Sequence, residues 1–313
     1  MKKLVLSIVA MCSVLLCLAQ GFPQMNADPS KGLYSFRFSD VNYVGDDQVY
    51  HNMDIYLPLG AESSQSPKVV IAIYGSAWFS NNAKSMTMSS IGNALLKAGF
   101  AVVSINHRSS MDAPWPAQIQ DVKAAIRFVR ANASTYGYDA SSVGITGFSS
   151  GGHLSSFAAA TNGEKQLTSG AITIDIEGSL GNFTSTSSAV DAVVDWFGPI
   201  DMATMNADCS GPNDASSPEA MLIGKKDPRQ ELDWVKLISS PYYVDSSDPQ
   251  ILIIHGTADT TVPNCQSHTL KAAYDAAGVK ATLIEVEGGG HGPGCFDEQY
   301  YSKMIEYFKM MLN

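Results

Sequence analysis

The chain is poor in basic residues and has no basic cluster. Its 313 residues include 20 lysines and arginines against 30 aspartates and glutamates, which gives a formal net charge of −10. Proteins that bind nucleic acid need clustered Lys and Arg to replace the counterions of the phosphates, so nucleic acid is not an expected partner. The acidity itself favours solubility and says little about a ligand.

Patterns that hold metal ions or cofactors are also missing. No Cys or His pair has the spacing of metal ligands, and the acidic stretch 208–214 lacks the ligand order of a calcium loop. No internal repeat indicates a solenoid. We therefore predict a protein that uses neither a metal nor a cofactor.

The one long apolar run, 4–18, is too short to span a membrane comfortably. Two lysines precede it and small residues follow it, which is the pattern of a secretory signal peptide over residues 1–19. A lipoprotein acylated at Cys17 is the alternative, although the large leucines directly before that cysteine fit it poorly. We expect a periplasmic or secreted protein that contacts no membrane once the signal is removed.

Cysteine is scarce, and three cysteines follow the predicted signal peptide: Cys209, Cys265 and Cys295. Their odd number leaves at least one of them free or paired elsewhere. A Cys265–Cys295 bridge is expected if the two loops that carry these residues meet. Cys209 is the rival partner, and three free thiols are the remaining alternative.

The length and the 45% hydrophobic content suit one large α/β domain. Residues 20–33 are rich in Pro, Asn and Gly and are expected to be flexible. Residues 34–57 alternate polar and apolar side chains around a Gly-Asp-Asp turn, which predicts an antiparallel hairpin. The domain is predicted to cover 34–313, with a cap-like insertion at about 199–245 that is rich in Pro, Ser and Asp.

Continuous apolar runs alternate with amphipathic segments through the rest of the chain. Strands that are buried on both faces have such uninterrupted runs, so the alternation predicts a mostly parallel, doubly wound sheet. The strands are predicted at 69–74, 101–105, 143–145, 190–197, 251–255 and 282–286, and the helices at 83–98, 114–136, 264–277 and 297–311.

A Gly-x-Ser-x-Gly sequence lies between a short apolar run and a helical segment, at Gly147-Phe148-Ser149-Ser150-Gly151. This pattern is typical of the nucleophile elbow of an α/β-hydrolase. The two glycines stand where a Cβ would collide with the neighbouring strand or helix. Ser149 is therefore the candidate nucleophile.

A serine hydroxyl needs a base within hydrogen-bonding reach, and that base needs an acid to orient it. In α/β-hydrolases these residues follow the chain order Ser, acid, His, which selects among the six histidines. His291, in a glycine-rich loop after the last predicted strand, is the candidate base. Asp259, after the strand at 251–255, is the candidate acid, and Asp201, one strand earlier, is the alternative.

Attack by serine creates an oxyanion that backbone N–H groups stabilise. Ser150, at the start of the elbow helix, is one candidate donor. Ser76 and Ala77, in the loop after the strand at 69–74, are two more, with Trp78 as a further possibility.

Three tryptophans stand near the predicted loops of the site. They are candidates for stacking on a sugar ring or on an aromatic acyl group: Trp78, Trp115 and Trp196. Ordinary packing in the core or at the rim is the alternative for each of them.

Several motifs together resemble the secreted bacterial α/β-hydrolases of the esterase/lipase group, which includes feruloyl and acetyl xylan esterases. The resemblance spans about residues 50–312 and rests on five segments: 116–122, 147–154, 195–201, 217–224 and 255–259. One departure is that the family usually has His-Gly-Gly before the tryptophan, where this chain has Tyr74-Gly75-Ser76. The oxyanion loop is therefore expected to be held differently.

The resemblance implies a secreted serine carboxylesterase that removes acetyl or feruloyl groups from plant cell-wall polysaccharide. An ester-substituted polysaccharide or oligosaccharide is then the expected partner. A peptidase or amidase, or a lipase for small esters, is an alternative that would use the same residues. A catalytically inactive hydrolase fold that serves in binding is the alternative of another class.

Overall fold

The structure, a computed structural model, describes residues 28–61 and 66–312. Ten strands are numbered along the chain: β1 (Tyr34–Asn42), β2 (Asn52–Pro58), β3 (Lys68–Ile73), β4 (Ala101–Ile105), β5 (Asp139–Phe148), β6 (Gln166–Ser169), β7 (Ile172–Asp175), β8 (Ala192–Trp196), β9 (Ile251–Gly256) and β10 (Ala281–Val286). Eight of them form the main sheet in the order β1-β2-β4-β3-β5-β8-β9-β10, and β6 pairs with β7. The strands from β4 to β10 of this order run parallel, so the predicted α/β-hydrolase fold is confirmed.

The N-terminal hairpin is confirmed as well. Strand β1 pairs antiparallel with β2, and β2 pairs antiparallel with β4. The turn between β1 and β2 is held by Asn42, whose side-chain oxygen accepts hydrogen bonds from three successive backbone amides, 44–46. Strand β1 of the hairpin forms one edge of the sheet, four positions away from the elbow strand β5.

Helices cover both faces of the sheet. They are α1 (Lys84–Thr87), α2 (Asn93–Lys97), α3 (Ala117–Ala131), α4 (Ala133–Tyr136), α5 (Ser150–Ala159), α6 (Pro218–Leu222), α7 (Leu232–Leu237), α8 (Cys265–Ala276) and α9 (Glu298–Met311), with 3₁₀ turns at Val49–His51, Met202–Thr204 and Ser240–Tyr242. A π turn over Met88–Gly92 joins α1 to α2. The single helix predicted at 114–136 is wrong in one respect, because Asn132 separates α3 from α4 and caps α3 by donating its side-chain amide to the Phe128 carbonyl, at 2.9 Å.

Strand β3 shows why the central strands are apolar throughout. Val69, Ile71 and Ile73 pack on one side of the sheet with residues of α3, α5 and α8, such as Ile119. Val70 and Ala72 pack on the other side with residues of α2 and α9. Both faces are dry, so neither set of alternating positions tolerates a polar side chain.

The short hairpin β6–β7 is absent from the sequence-based prediction. Each of its strands has four residues, and about half of their side chains face solvent. Neither strand therefore has the apolar run that identifies β3 or β9. The signal that was present is Gly170, which turns the chain at a φ of +56°.

The Cys265–Cys295 pairing expected above is wrong. Cys265 begins α8 and is bonded to Cys209 of the insertion, with 6.5 Å between the two Cα atoms. Cys295 is a free, buried cysteine whose thiol faces the Gly290 carbonyl of its own loop, at 3.5 Å. The disulfide therefore ties the insertion to the helix that follows the Asp259 loop.

The predicted signal peptide (1–19) and most of the segment 20–33 lie outside the described residues. Across 28–61 and 66–312, no helix is long and apolar enough to cross a membrane. The same residues contain no group of three or more His, Cys, Asp or Glu arranged to hold a metal ion.

Candidate active site

Ser149 lies in a sharp turn between β5 and α5. Its backbone has a φ of 55° and a ψ of −127°, a conformation that L-residues rarely adopt. A Cβ at Gly147 would collide with the Gly151 carbonyl, and a Cβ at Gly151 would collide with the Ile73 carbonyl. The turn closes only because both flanking positions are glycine, and it places Ser149 at the carboxyl edge of the parallel strands.

His291 connects Ser149 to Asp259. The Ser149 Oγ lies 2.9 Å from His291 Nε2, and His291 Nδ1 lies 2.7 Å from Asp259 Oδ2. A carboxylate only accepts, so Nδ1 carries the proton and Nε2 is free to accept the serine proton. The structure thus brings together the three residues that the chain order selected, in the geometry that activates a serine.

Two glycines allow the acid loop and the histidine loop to meet. A Cβ at Gly256, the last residue of β9, would collide with the Gly289 carbonyl. That carbonyl instead accepts a hydrogen bond from the Ala258 N–H, at 2.9 Å, and the Thr257 N–H donates to the Val286 carbonyl at 3.0 Å. These contacts fix the separation between Asp259 and His291.

Asp259 is held as a carboxylate. Its Oδ1 accepts from the backbone N–H groups of Thr261 and Val262, at 2.8 and 3.0 Å. Burial opposes its ionisation, but hydrogen bonds from His255 and His291 outweigh that effect and keep the pKa of Asp259 well below its usual range. The group therefore stays negative wherever His291 needs an orienting charge.

His255 supports Asp259 from inside the protein. Its Nε2 donates to the Val262 carbonyl at 3.0 Å and lies 3.4 Å from Asp259 Oδ2, while its Nδ1 is 2.6 Å from the Ser267 hydroxyl. His255 is fully buried. His255 thus holds the loop that presents the acid. From the sequence, only its position at the end of a strand before a turn was predicted.

The alternative acid, Asp201, has a different role. Its carboxylate accepts from the Ala203 N–H at 3.0 Å and from the Thr204 hydroxyl at 3.1 Å, and so caps a 3₁₀ turn. Asp201 makes no hydrogen bond to His291 within the described residues. The structure therefore favours Asp259 as the partner of His291.

The four candidate oxyanion donors differ in their availability. The Ser76 N–H donates to the Ser150 hydroxyl at 2.9 Å, so it is already engaged. The backbone N–H groups of Ala77, Trp78 and Ser150 have no hydrogen-bond partner within 28–61 and 66–312. Ala77 and Ser150 are therefore open donors, the Trp78 N–H remains available as well, and Ser76 holds the loop to the elbow.

The oxyanion loop is strained. Ala77 and Trp78 have φ angles of 51° and 59°, and two successive non-glycine residues in the left-handed region cost about 1–3 kcal/mol each. The loop keeps this shape because the Trp78 carbonyl accepts from the Ser110 N–H at 2.8 Å and the Phe79 N–H closes a turn onto the Ser76 carbonyl at 2.9 Å.

Tyr74 replaces the histidine that the family usually has before this loop. Its ring stacks on His107 with 5.0 Å between the ring centroids and 14° between the planes. Its hydroxyl donates to the Ser80 carbonyl at 3.0 Å. The Tyr74 hydroxyl therefore holds the far side of the loop. The sequence predicted that this loop is held differently from the family's usual one, but it did not predict this contact.

The prediction that three tryptophans bind substrate is wrong for this structure. Trp78, Trp115 and Trp196 are 1%, 2% and 0% exposed, so none of them presents a face to a ligand. Trp78 follows β3, Trp115 precedes α3 and Trp196 is the last residue of β8, and at each of these places the large side chain fills the core. The aromatic residue that does contact the site was not predicted: the buried ring of Phe197 packs against His291, with 4.7 Å between the ring centroids.

A buried carboxyl beside the elbow, Asp195, was also not predicted from the sequence. It is fully buried on β8, its Oδ1 accepts from the Gly198 N–H at 3.1 Å, and its Oδ2 has no partner in the described part of the chain. Burial raises the pKa of Asp195 to about 7, against the opposing effects of His255 and the Gly198 N–H. A Cβ at Gly152 would collide with this carboxyl, which therefore lies against the first turn of α5.

A scan against protein-family models matches residues 53–274 to the family described as BD-FAE. The chain belongs to the BD-FAE family. The match runs from within the hairpin strand β2 to within helix α8, so it includes Ser149 and Asp259 and ends before His291. As a family member with this sheet order, the chain has the α/β-hydrolase fold.

Solved structures and curated proteins agree with the family. The chain is 64% identical to the truncated form of a carbohydrate esterase from gut microbiota, with a TM-score of 0.89, covering 91% of this chain and 99% of that one. It is 53% identical to a bifunctional GH43-CE of Bacteroides eggerthii, with a TM-score of 0.85, covering 88% of this chain and 35% of that one. It is 29% identical to Esterase LipQ of Mycobacterium tuberculosis (strain ATCC 25618 / H37Rv) over 82% of this chain, and the match spans 58% of LipQ.

Proposed function

We propose that this BD-FAE family member is a serine carboxylesterase with Ser149 as nucleophile, His291 as base and Asp259 as orienting acid. The observation that carries the proposal is the continuous hydrogen-bonded chain from the Ser149 hydroxyl through His291 to the ionised Asp259. The esterase and carbohydrate esterase relatives support the same activity.

The reaction follows from the positions of the protons. Ser149 Oγ attacks the ester carbonyl while His291 Nε2 takes the hydroxyl proton, and Asp259 stabilises the imidazolium that forms. The N–H groups of Ala77 and Ser150, together with the positive end of α5, would stabilise the oxyanion. His291 then gives its proton to the leaving alcohol, and a water molecule activated by the same nitrogen hydrolyses the acyl-enzyme.

For the substrate, we propose acetyl or feruloyl esters on plant cell-wall polysaccharide or its oligosaccharides. Support comes from the carbohydrate esterase at 64% identity and from the bifunctional GH43-CE at 53% identity. We also propose that the protein acts in the periplasm or outside the cell, because residues 1–19 have the pattern of a signal peptide. An enzyme that cleaves polysaccharide or its oligosaccharides before they enter the cytoplasm must be exported.

Two other functions would use the same fold. A peptidase or amidase, or a lipase for small esters, would share the three residues and differ in the acyl and alcohol groups that it accepts. A binding protein would have the fold without the reaction. The alignment of Ser149 with His291 favours an active hydrolase over a binding protein.

The test is one digest of acetylated, feruloylated arabinoxylan by the mature protein, in which free acetate and free ferulate are measured. Ser149→Ala is expected to lower the rate by about 10⁶-fold, whereas Ser302, a half-buried serine of helix α9, is the matched control for Ser→Ala and is expected to leave the rate unchanged. Release of neither acid by the wild-type protein would refute the polysaccharide proposal. Small esters and peptide amides would then be tried. Failure of a fluorophosphonate to label Ser149 in the folded protein would refute the serine mechanism.

A further inference from the structure

We propose that Phe79, with Met111 on the neighbouring loop, forms the surface on which the sugar ring that carries the scissile ester is bound. This inference rests on the proposed function and extends it from the ester bond to the alcohol side of the substrate. Its basis is an exposed aromatic ring at the outer end of the oxyanion loop, next to Trp78, which the sequence analysis proposed for stacking but which is buried.

Phe79 lies close to the reacting serine. A Cβ at Gly75 would lie 2.6 Å from Ser149 Cβ, so the loop starts in contact with the nucleophile. The Ser76 N–H bonds to the Ser150 hydroxyl, and Phe79 is the fourth residue of the turn that Ser76 begins. The ends of such a turn are less than about 7 Å apart, which puts Phe79 at the rim of the site.

The loop holds Phe79 rigidly. The preceding residue, Trp78, is buried, donates its indole N–H to His153 Nδ1 at 3.2 Å and accepts from the Ser110 N–H at 2.8 Å. The following residue, Ser80, donates its N–H to the Ser76 hydroxyl at 3.2 Å. The backbone that carries Phe79 is thus fixed, so no loop needs to be ordered when the ring contacts a ligand, and this favours its use as a contact surface.

Phe79 is nevertheless 41% exposed, whereas the adjacent Trp78 of the same loop is buried in the core. Met111, 64% exposed, lies between Ser110 and Asp112, and both of these bond to the Phe79 loop. The two apolar side chains thus face solvent from adjacent loops at the carboxyl edge of the sheet, where strands β3 and β4 end.

The chemistry of this rim fits a sugar. The ring offers an apolar face, and Asn81 beside it is oriented by donating to both carboxylate oxygens of Asp112, at 3.1 and 2.9 Å. The amide oxygen of Asn81 is thereby turned away from that carboxylate. A pyranose has apolar C–H faces and a rim of hydroxyl groups, so it matches an aromatic face with a polar border.

The direct test is sugar binding by the inactive protein. In the Ser149→Ala background, the Kd for acetylated xylo-oligosaccharide is measured by calorimetry with and without Phe79→Ala. We expect binding to weaken by about 5- to 30-fold, the usual effect of losing one well-placed aromatic contact. Phe79→Tyr keeps the ring and is expected to restore binding. Phe36→Ala removes a phenylalanine of similar exposure (50% against 41%) from strand β1, at the edge of the sheet, and is expected to change nothing.

The kinetic test uses a ratio in the active protein. The quotient of kcat/KM for the acetylated oligosaccharide over kcat/KM for 4-nitrophenyl acetate is expected to fall by about 5- to 30-fold in Phe79→Ala, with no change in Phe36→Ala. An unchanged ratio and an unchanged Kd would overturn the inference while leaving the esterase intact. A loss confined to Tyr242→Ala, at the exposed aromatic of the insertion, would also overturn it. If the wild-type protein cleaved neither substrate, the proposed function itself would fall.

Discussion

Trp78 and His153 are joined inside the protein by a hydrogen bond from the indole N–H to Nδ1, at 3.2 Å. The other ring nitrogen of His153 donates to the Ile238 carbonyl at 2.7 Å. His153 therefore links the oxyanion loop, the elbow helix and the insertion. Burial lowers the pKa of His153 to about 4, so the ring is neutral and serves as a fixed donor and acceptor.

Replacing His153 with Leu should destabilise the protein and lower its activity. The indole N–H and the Ile238 carbonyl would both lose their partner, and each buried unpaired group costs about 1–3 kcal/mol, which gives a fall of about 2–6 kcal/mol in the free energy of unfolding. Urea denaturation measures it. His268→Leu is the control, because that ring is exposed on α8 and its loss is expected to change stability by less than about 0.5 kcal/mol. Equal losses in the two variants would contradict the linking role.

The assignment of the acid is tested by Asp259→Asn. An asparagine would favour the wrong tautomer of His291 and is expected to lower kcat by about 10⁴-fold with little effect on folding. Asp201→Asn is the matched control, since asparagine also caps a helical turn, and its kcat should stay near the wild-type value. The reverse result would make Asp201 the acid.

The Gly75 position tests how closely the oxyanion loop must approach the nucleophile. In Gly75→Ala the new methyl group would lie 2.6 Å from Ser149 Cβ and 2.7 Å from the Phe148 carbonyl, so one of the loops must move. A displacement of about 1 Å at the reacting atoms costs about 100-fold in rate, which is the expected fall in kcat/KM. Gly211→Ala, in the insertion with no atom nearer than 3.7 Å, should leave the rate unchanged. A fully active Gly75→Ala protein would show that the loop is free to shift.

The disulfide and the free cysteine are separated by two variants. Cys209→Ser removes a cross-link that spans 56 residues and is expected to lower the free energy of unfolding by about 4 kcal/mol. Cys295→Ala removes one buried sulfur and should cost about 1 kcal/mol. A larger loss of stability in Cys295→Ala than in Cys209→Ser would contradict the Cys209–Cys265 disulfide and favour a Cys265–Cys295 bridge.

Much of the fold could be predicted because its signals are local. Strand β3 is apolar on both faces, and Gly147 and Gly151 mark the elbow by steric necessity. The order Ser149, Asp259, His291 then needed no knowledge of distances. Each of these inferences depends on residue type and on position along the chain, which a sequence contains.

The rest depends on which surfaces meet in space. The sequence around a tryptophan that follows a strand, such as Trp78, does not distinguish a ring that packs in the core from one that lines the site. Cys265 pairs with Cys209 because the insertion folds back onto α8, and nothing in the local sequence states that. The engagement of the Ser76 N–H by Ser150 is likewise a contact between segments 74 residues apart.

Asp195 is expected to make stability fall as the pH rises. The carboxyl has a pKa of about 7 in the folded protein, against an ordinary value near 3.8. Between these values the folded state binds more protons than the unfolded state, so the free energy of unfolding decreases with pH, by up to about 4 kcal/mol across the window at about 1.4 kcal/mol per pH unit. Asp195→Asn keeps the acceptor for the Gly198 N–H and removes the titration. The difference between wild-type and variant stability should therefore fall from pH 4 to 7 and stay level above it.

The same carboxyl should affect catalysis above pH 7, because an ionised Asp195 would place a negative charge beside the first turn of α5, where the oxyanion forms. The ratio of kcat in Asp195→Asn to kcat in the wild-type protein is then expected to rise between pH 6 and 8.5. Asp248 is the comparison, since burial also raises its pKa to about 7 but it precedes β9, at the opposite edge of the sheet. Asp248→Asn should flatten the stability profile without changing the kcat ratio. A flat ratio in Asp195→Asn would mean that the carboxyl influences folding alone.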